Sequence, residues 1–259
     1  MAAPQPSSDA FDRVADAVAG VPFMSRDQGR LVFDHVVRTR ARQVLELGTA
    51  HGVGAAYMAA ALPAGGRLTT VDFAGAAYDP APEAVLARAG VADRVEVVRA
   101  HSSYTWWLKE QVQARTDAHG NVEPYLDFVY LDGAKNWTVD GFAVVLAEKL
   151  LRPGGWLLMD DLGWTYADSD RAATDGVVHR ELSAAERSEP HLRAVLDLIV
   201  AQHPAFTEVR VQDEWWGWAH KAPGEPRRYV VETSRPLGAL VANAARKGVR
   251  RARRQLRRG

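Results

Sequence analysis

Short, nearly unbroken apolar runs alternate with longer amphipathic stretches across residues 43–161. QVLEL (43–47), LTTVD (68–72), VEVV (95–98), LDFVYLD (126–132) and WLLMDD (156–161) read as five strands. Between them lie helical stretches. The Ala-rich run after GTAHG is a good helix former. PEAVLARAG (82–90) is helical and ends on a glycine. SSYTWWLKEQVQA (102–114) begins with a Ser suited to cap a helix. VDGFAVVLAEKLL (139–151) is a helix that RPGG is expected to stop. Ahead of this region, Phe11 to Val37 carry helical spacing, broken at Gly20–Pro22. Residues 1–9 are rich in Pro and Ser and are expected to be disordered, and TDAHGNVEP (116–124) reads as a polar loop.

Five strand–helix alternations with apolar strands predict a parallel sheet covered by helices on both faces. The end of the chain differs. After the helical HLRAVLDLIVAQH (191–203), the strands TEVRVQ (207–212) and WWGWAHK (215–221) are separated by Asp213 and Glu214 alone. Strands that close form a hairpin. The expected fold is therefore α/β and doubly wound: a mostly parallel seven-stranded sheet that finishes with an antiparallel hairpin.

Composition narrows the possibilities. The 259 residues are 47% hydrophobic and 25% charged, which is ordinary for a globular chain. There is no cysteine, which excludes a disulfide framework, a thiolate metal site and a cysteine nucleophile. The start lacks a basic segment followed by an apolar one, and no apolar run reaches the length of a membrane span. A cytoplasmic location without a transmembrane segment is the expectation. Net charge is zero, yet 246–258 hold eight Lys or Arg and no acid. The remainder carries 24 basic against 32 acidic residues, about −8, which argues against nucleic-acid binding by the body. The chain is expected to divide at 235: residues 1–235 as the folded domain, and 236–259 as a basic amphipathic tail suited to an anionic surface. The tail could also be a nucleic-acid arm, dock on the acidic body of its own or a neighbouring subunit, or simply be a solubilising stretch, and a homodimer is a candidate assembly.

In an open doubly wound sheet, ligands sit at the carboxyl ends of the strands. Polar residues stand at those ends here: Glu46 and Gly48 after the first, Asp72 after the second, Ser102 and Ser103 beyond the third, Asp132 after the fourth, Asp160 and Asp161 after the fifth. Gly48, Gly52 and Gly54 are spaced G-x-x-x-G-x-G, unlike the G-x-G-x-x-G of dinucleotide folds, so a smaller ligand fits better. A carboxylate at Asp72 can accept both hydroxyls of a ribose. Asp132 and Asp160, on adjacent exits, should lie close together, with Asp161 beside them. Crowded carboxylates raise one another's pKa unless a cation intervenes, and hard oxygen donors suit Mg²⁺ or another divalent cation. Lys135 can then take a substrate proton if its own pKa is depressed, or act as a fixed charge. His51, His101 and the lone His179 are rival bases. Trp137, Trp164 and Tyr166 are candidates to line a substrate, whereas Trp215, Trp216 and Trp218 belong to hairpin packing.

VLELGTAHGVGAAYMAAAL, LTTVD, VEVVRAHSS, DFVYLD and LLRPGGWLLMDD, in that order, resemble the successive motifs of class I S-adenosylmethionine-dependent methyltransferases. The resemblance spans Val21 to Lys221. PFMSRDQGRL (22–31) and the D-x-x-K at 132–135 resemble the metal-dependent catechol and caffeoyl-CoA O-methyltransferases, and the paired acids at 160–161 the macrocin type. The resemblance implies S-adenosylmethionine as cofactor, with Gly48 and its neighbours Glu46, Thr49 and Gly52 at the methionine part and Asp72 at the ribose. Ser102 and Ser103 would lie near the adenine, with Met24 and Ser25 at the entry and Asp132 between cofactor and metal. It also implies a divalent metal held by Asp132, Asp160 and Asp161, Lys135 as the catalytic group, and a small-molecule acceptor such as a catechol-like ring or a sugar diol. Two positions depart from the family: Gly54 stands where many members carry Ser, and Asp161 where Asn is usual.

Overall fold

The computed structural model describes residues 8–169, 173–174 and 180–225. His179 and the basic tail 236–259 lie outside the described residues. The chain divides into a large unit, 1–116 with 122–227, and a small one, 117–121 with 228–259. In the small unit, Asp117 Oδ1 accepts the backbone N–H groups of His119 and Asn121 at 2.8 and 2.9 Å, a side-chain-closed turn within the expected polar loop.

The large unit is built on a seven-stranded sheet. Its strands are β1 (Gln43–Leu47), β2 (Arg67–Phe73), β3 (Val95–Ala100), β4 (Leu126–Leu131), β5 (Leu151–Met159), β6 (Phe206–Gln212) and β7 (Trp216–Lys221). The spatial order is β3-β2-β1-β4-β5-β7-β6. The first five strands pair in parallel, and β7 runs antiparallel to both β5 and β6. The expected architecture is therefore present. Asp213 and Glu214 both adopt left-handed backbone (φ 53° and 58°), which closes the β6–β7 turn.

Helices cover both faces because successive strand residues point to opposite sides. Val44, Leu68, Phe128, Tyr130 and Leu158 face α1 (Ser8–Ala17), α2 (Arg26–Thr39), α3 (Val53–Ala61) and α4 (Pro82–Arg88). Leu45, Leu47, Val129, Leu131 and Leu157 face α5 (Tyr104–Ala114), α6 (Trp137–Leu150) and α8 (His191–Val195), which runs on into a wider π-type turn over 196–200. The short α7 (Ala184–Ser188) precedes α8. Every residue of α3 is buried, which its Ala-rich sequence permits by keeping the helix thin.

One boundary differs from expectation. RPGG does not separate helix from strand; it lies inside β5. Leu126 pairs with Leu151 and Phe128 with Trp156, so one residue of β4 faces four of β5. Pro153 and the two glycines are accommodated as an irregularity in the ladder, the position where sheets tolerate them.

Candidate active site

β1 lies where the strand order reverses, between β2 and β4, the switch point at which open sheets bind ligands. The parallel ladder continues past the strand ends. Gly48 N–H donates to Val71 O (2.9 Å), Asp132 N–H to Leu47 O (2.9 Å) and Asp160 N–H to Leu131 O (3.0 Å). These bonds set Gly48, Asp132 and Asp160 in register on three neighbouring exits. Gly48 has φ +104°, and a Cβ there would come within 2.7 Å of the Asp132 carbonyl carbon and 2.9 Å of Gly133 Cα. Only glycine lets the β1 and β4 exits approach this closely.

A cavity of about 400 Å³ opens above these exits. Of the residues expected to hold a cofactor, Gly48, Asp72, Ser102, Ser103 and Asp132 line it, joined by Tyr78 and Phe73. Met24, Ser25, Glu46, Thr49 and Gly52 are not part of that lining. Ser25 caps α2 in a reciprocal pair with Gln28. Gly52 caps α3 with φ 79°. Thr49 is buried, and its hydroxyl donates to Thr70 Oγ1 (2.7 Å), which in turn donates to Glu46 Oε2 (2.5 Å). Glu46 is buried beneath the turn, and burial pushes its carboxyl well above the usual carboxylate range. It braces the first turn from beneath through Thr70 and Thr49. A Cβ on Gly54 would run into that Glu46 carboxyl and sit 3.3 Å from Met24 Cε, so the strut leaves no room for the serine that the family carries at this position. Asp72 Oδ2 accepts Thr49 N–H (3.1 Å) and Ala50 N–H (2.9 Å), and Oδ1 accepts Phe73 N–H (2.7 Å). The carboxylate thus shapes the turn as well as lining the cavity. His51 donates from Nδ1 to Pro80 O (2.8 Å), a structural bond.

Acids and a lysine gather at the β4 and β5 exits. Lys135 Nζ contacts Asp132 Oδ1 and lies 2.6 Å from Asp161 Oδ2. Tyr130 OH donates to Asp160 Oδ2 at 2.6 Å and stands 3.3 Å from Asp132 Oδ2, tying the two exits together. Asp160 Oδ1 accepts Asp161 N–H (2.7 Å). Burial, then the neighbouring charges of Asp132 and Asp161, push Asp160 up to about 7. Burial also raises Asp132, although Lys135 pulls it back.

Two expectations change here. Lys135 is 4% exposed, and burial alone would lower its pKa. The carboxylates of Asp132, Asp161 and Asp160 together outweigh that burial and hold the ammonium above the ordinary lysine range. In this arrangement the Lys135 ammonium is held as a cation. The three acids meet at one corner as expected, but they do not close around a point. Among the described residues no group of three or more His, Cys, Asp or Glu is placed to hold a metal ion, and the lysine ammonium contacts both Asp132 and Asp161.

The aromatic candidates separate. Tyr166 is buried and donates from its hydroxyl to Ala134 O (3.2 Å). Trp164 packs edge-on to it with ring centroids 4.8 Å apart and keeps partial exposure. Trp137, 40% exposed, faces a different cavity of about 360 Å³ beside α7 and α8. Trp216 and Trp218 are buried in the hairpin packing, as expected. Sequence reasoning missed Tyr130, Tyr104 and Asp140. Tyr130 had a signal: it lies two positions before Asp132, hence on the same face of the strand.

Residues 45–162 match a family profile described as a methyltransferase domain. Over these residues, a little under half of the chain, it is similar to that methyltransferase family. The first-turn glycines, Asp72 and the acids at the β4 and β5 exits all fall within the matched span. The chain is 32% identical over 137 residues to catechol O-methyltransferase B of Danio rerio, covering 52% of this chain and 48% of that protein. It is 31% identical over 156 residues to catechol O-methyltransferase of Niastella koreensis, covering 56% and 62%. The chain thus spans about half to three fifths of these relatives' lengths, and the resemblance to the catechol type read from the motifs is borne out. In fold it is similar to the O-methyltransferase of Bacillus cereus in complex with SAH (22% identity, TM-score 0.56, 83% and 92% covered). It is likewise similar to TomG of Streptomyces achromogenes in complex with SAM (21% identity, TM-score 0.55, 84% and 92% covered).

Proposed function

We propose that the protein transfers the methyl group of S-adenosylmethionine to a hydroxyl of a small molecule with two adjacent oxygens, a catechol-like ring or a sugar diol. The observation that carries this reading is Asp132, which lines the 400 Å³ cavity on one side and contacts the Lys135 ammonium on the other. A methyl donor in the cavity and an acceptor at the charged corner would therefore be neighbours. Transfer forms an oxygen–carbon bond, breaks the sulfur–carbon bond of the sulfonium and releases the acceptor's proton. Most of the rate enhancement would come from holding the two reactants in line. Lys135, held as a cation, would stabilise the oxyanion that develops on the acceptor.

The donor chemistry of the corner fits a divalent cation. Asp132, Asp160 and Asp161 supply hard carboxylate oxygens suited to Mg²⁺. Burial first, and then the negative charge that one ammonium leaves in excess against three carboxylates, push Asp160 up to about 7. These three residues would hold the ion, and it would lower the pKa of a bound hydroxyl. Lys135 would have to give up at least one of its carboxylate contacts to it. That same contact favours a second reading, a metal-independent methyltransferase in which Lys135 is the only cation.

Methyl transfer from S-adenosylmethionine to a catechol and to a sugar diol, each with excess chelator and again with Mg²⁺ restored, tests both. Loss in chelator with recovery in Mg²⁺ supports metal assistance, and full turnover in chelator supports the lysine alone. No S-adenosylmethionine binding by calorimetry would overturn the cofactor assignment.

A further inference from the structure

The turn that carries Lys135 is held from behind by a buried pair outside the charged corner. Asp140, on the first turns of α6, has no solvent exposure. Its Oδ2 accepts the backbone N–H of Asn136 at 2.6 Å, and its Oδ1 accepts the hydroxyl of Tyr104 from α5. That hydroxyl accepts in turn the backbone N–H of Ala134 at 3.0 Å. The backbone N–H groups of the residues on either side of Lys135, Ala134 and Asn136, are thus both captured by one Tyr104–Asp140 unit.

Lys135 needs such a clamp. Its backbone is left-handed, φ 60°, a conformation that costs a side-chain-bearing residue roughly 1–2 kcal/mol. Its side chain is buried, so the orientation of the turn decides where the ammonium lies. Gly133 completes the fit: a Cβ there would stand 2.6 Å from the Tyr104 hydroxyl. Tyr166 adds a bond to Ala134 O from the opposite side. A carboxylate whose only task was to cap α6 would not also recruit a tyrosine from another helix to the residue on the far side of Lys135.

We infer that Asp140 is a positioning residue: through Tyr104 and the Asn136 amide it locks the 133–136 turn so that Lys135 presents its ammonium between Asp132 and Asp161. The role of that ammonium in turnover rests on the methyl-transfer reading; its placement does not.

The test reads placement first. Full-length protein is treated with N-hydroxysuccinimidyl acetate, and lysine acylation is followed by mass spectrometry, with exposed Lys109 as internal reference. In the wild type Lys135 is protected. Asp140→Asn keeps the volume but cannot accept both donors, and Tyr104→Phe removes the link while keeping the ring. Each should raise Lys135 labelling about tenfold relative to Lys109. For Asp140→Asn, turnover should fall about 100-fold with little change in S-adenosylmethionine affinity, whereas Tyr104 itself lines the cofactor cavity and its variant is read by labelling. In a Lys135→Ala background, Asp140→Asn should cost no further turnover, because the two act as one unit. Lys135 protection unchanged in both folded variants, with only thermal stability lost, would make Asp140 a helix cap and overturn the inference. Raised labelling in an enzyme that methylates no acceptor would uphold the positioning role and overturn the methyl-transfer reading instead.

Discussion

The ammonium of Lys135 lies 2.6 Å from Asp161 and also contacts Asp132, so one buried cation joins acids from two different strand exits. Replacing Lys135 by Ala removes that cation while leaving the Gly48 turn and Asp72 untouched. Turnover should drop by about 10²–10³-fold, the range for losing one oriented electrostatic stabiliser. The affinity for S-adenosylmethionine, measured by calorimetry, should change far less. Equal losses in both would place Lys135 in cofactor binding.

Asp160 is pushed up to about 7, so near neutral pH a proton competes with any cation for it. Mg²⁺ binding should therefore strengthen as pH rises from 6 to 8, by at most about tenfold per unit for one released proton. Titration calorimetry in buffers of different ionisation enthalpy reads that proton directly. Binding that does not vary with pH would show that Asp160 is not a ligand.

His35 is buried among Phe128, Trp156 and Trp218, and burial, helped by Arg38 and Arg210, lowers its pKa to about 3. A depressed histidine stabilises the fold fully above its unfolded value near 6.5, and that stability is lost as pH falls towards 3. Between pH 7 and pH 5 the loss from this group is about 2 kcal/mol. The raised carboxyl of Asp160 slopes the other way, losing stability as pH rises through 7. The measurement is therefore the difference between wild type and His35→Leu in urea unfolding at both pH values. Parallel curves for the two proteins would show that His35 is not the titrating group.

Gly48→Ala places a Cβ against the Asp132–Gly133 backbone at φ +104°. Strain and overlap together should destabilise the protein by about 3 kcal/mol or more and abolish cofactor binding. A variant with wild-type Tm would mean that the β1 and β4 exits separate freely.

Periodicity and strand chemistry were enough to specify the α/β sandwich, the order of its elements and the closing hairpin. A strand buried on both faces must be apolar along its length, and a helix buried on one must repeat near 3.6, so each element announces itself locally. The acids at the strand exits were legible for the same reason, because a charge ending an apolar strand has no place in the core. RPGG misled because a Pro-Gly-Gly run reads as a stop, whereas the sheet absorbed it as an irregularity within β5.

Only the tertiary structure decided the state of the charged corner. Whether Lys135 is a base or a fixed cation depends on how burial balances three carboxylates carried by two strand exits, a sum over distances that spacing does not contain. Glu46 reads in the sequence as a ligand contact, and only packing shows it buried beneath the turn, its carboxyl raised by burial and bonded to Thr70. Tyr104 and Asp140 stand 36 residues apart and meet only because α5 and α6 pack side by side. Local pattern reports which residues are buried; which buried groups face one another, and hence which are charged, is settled by packing.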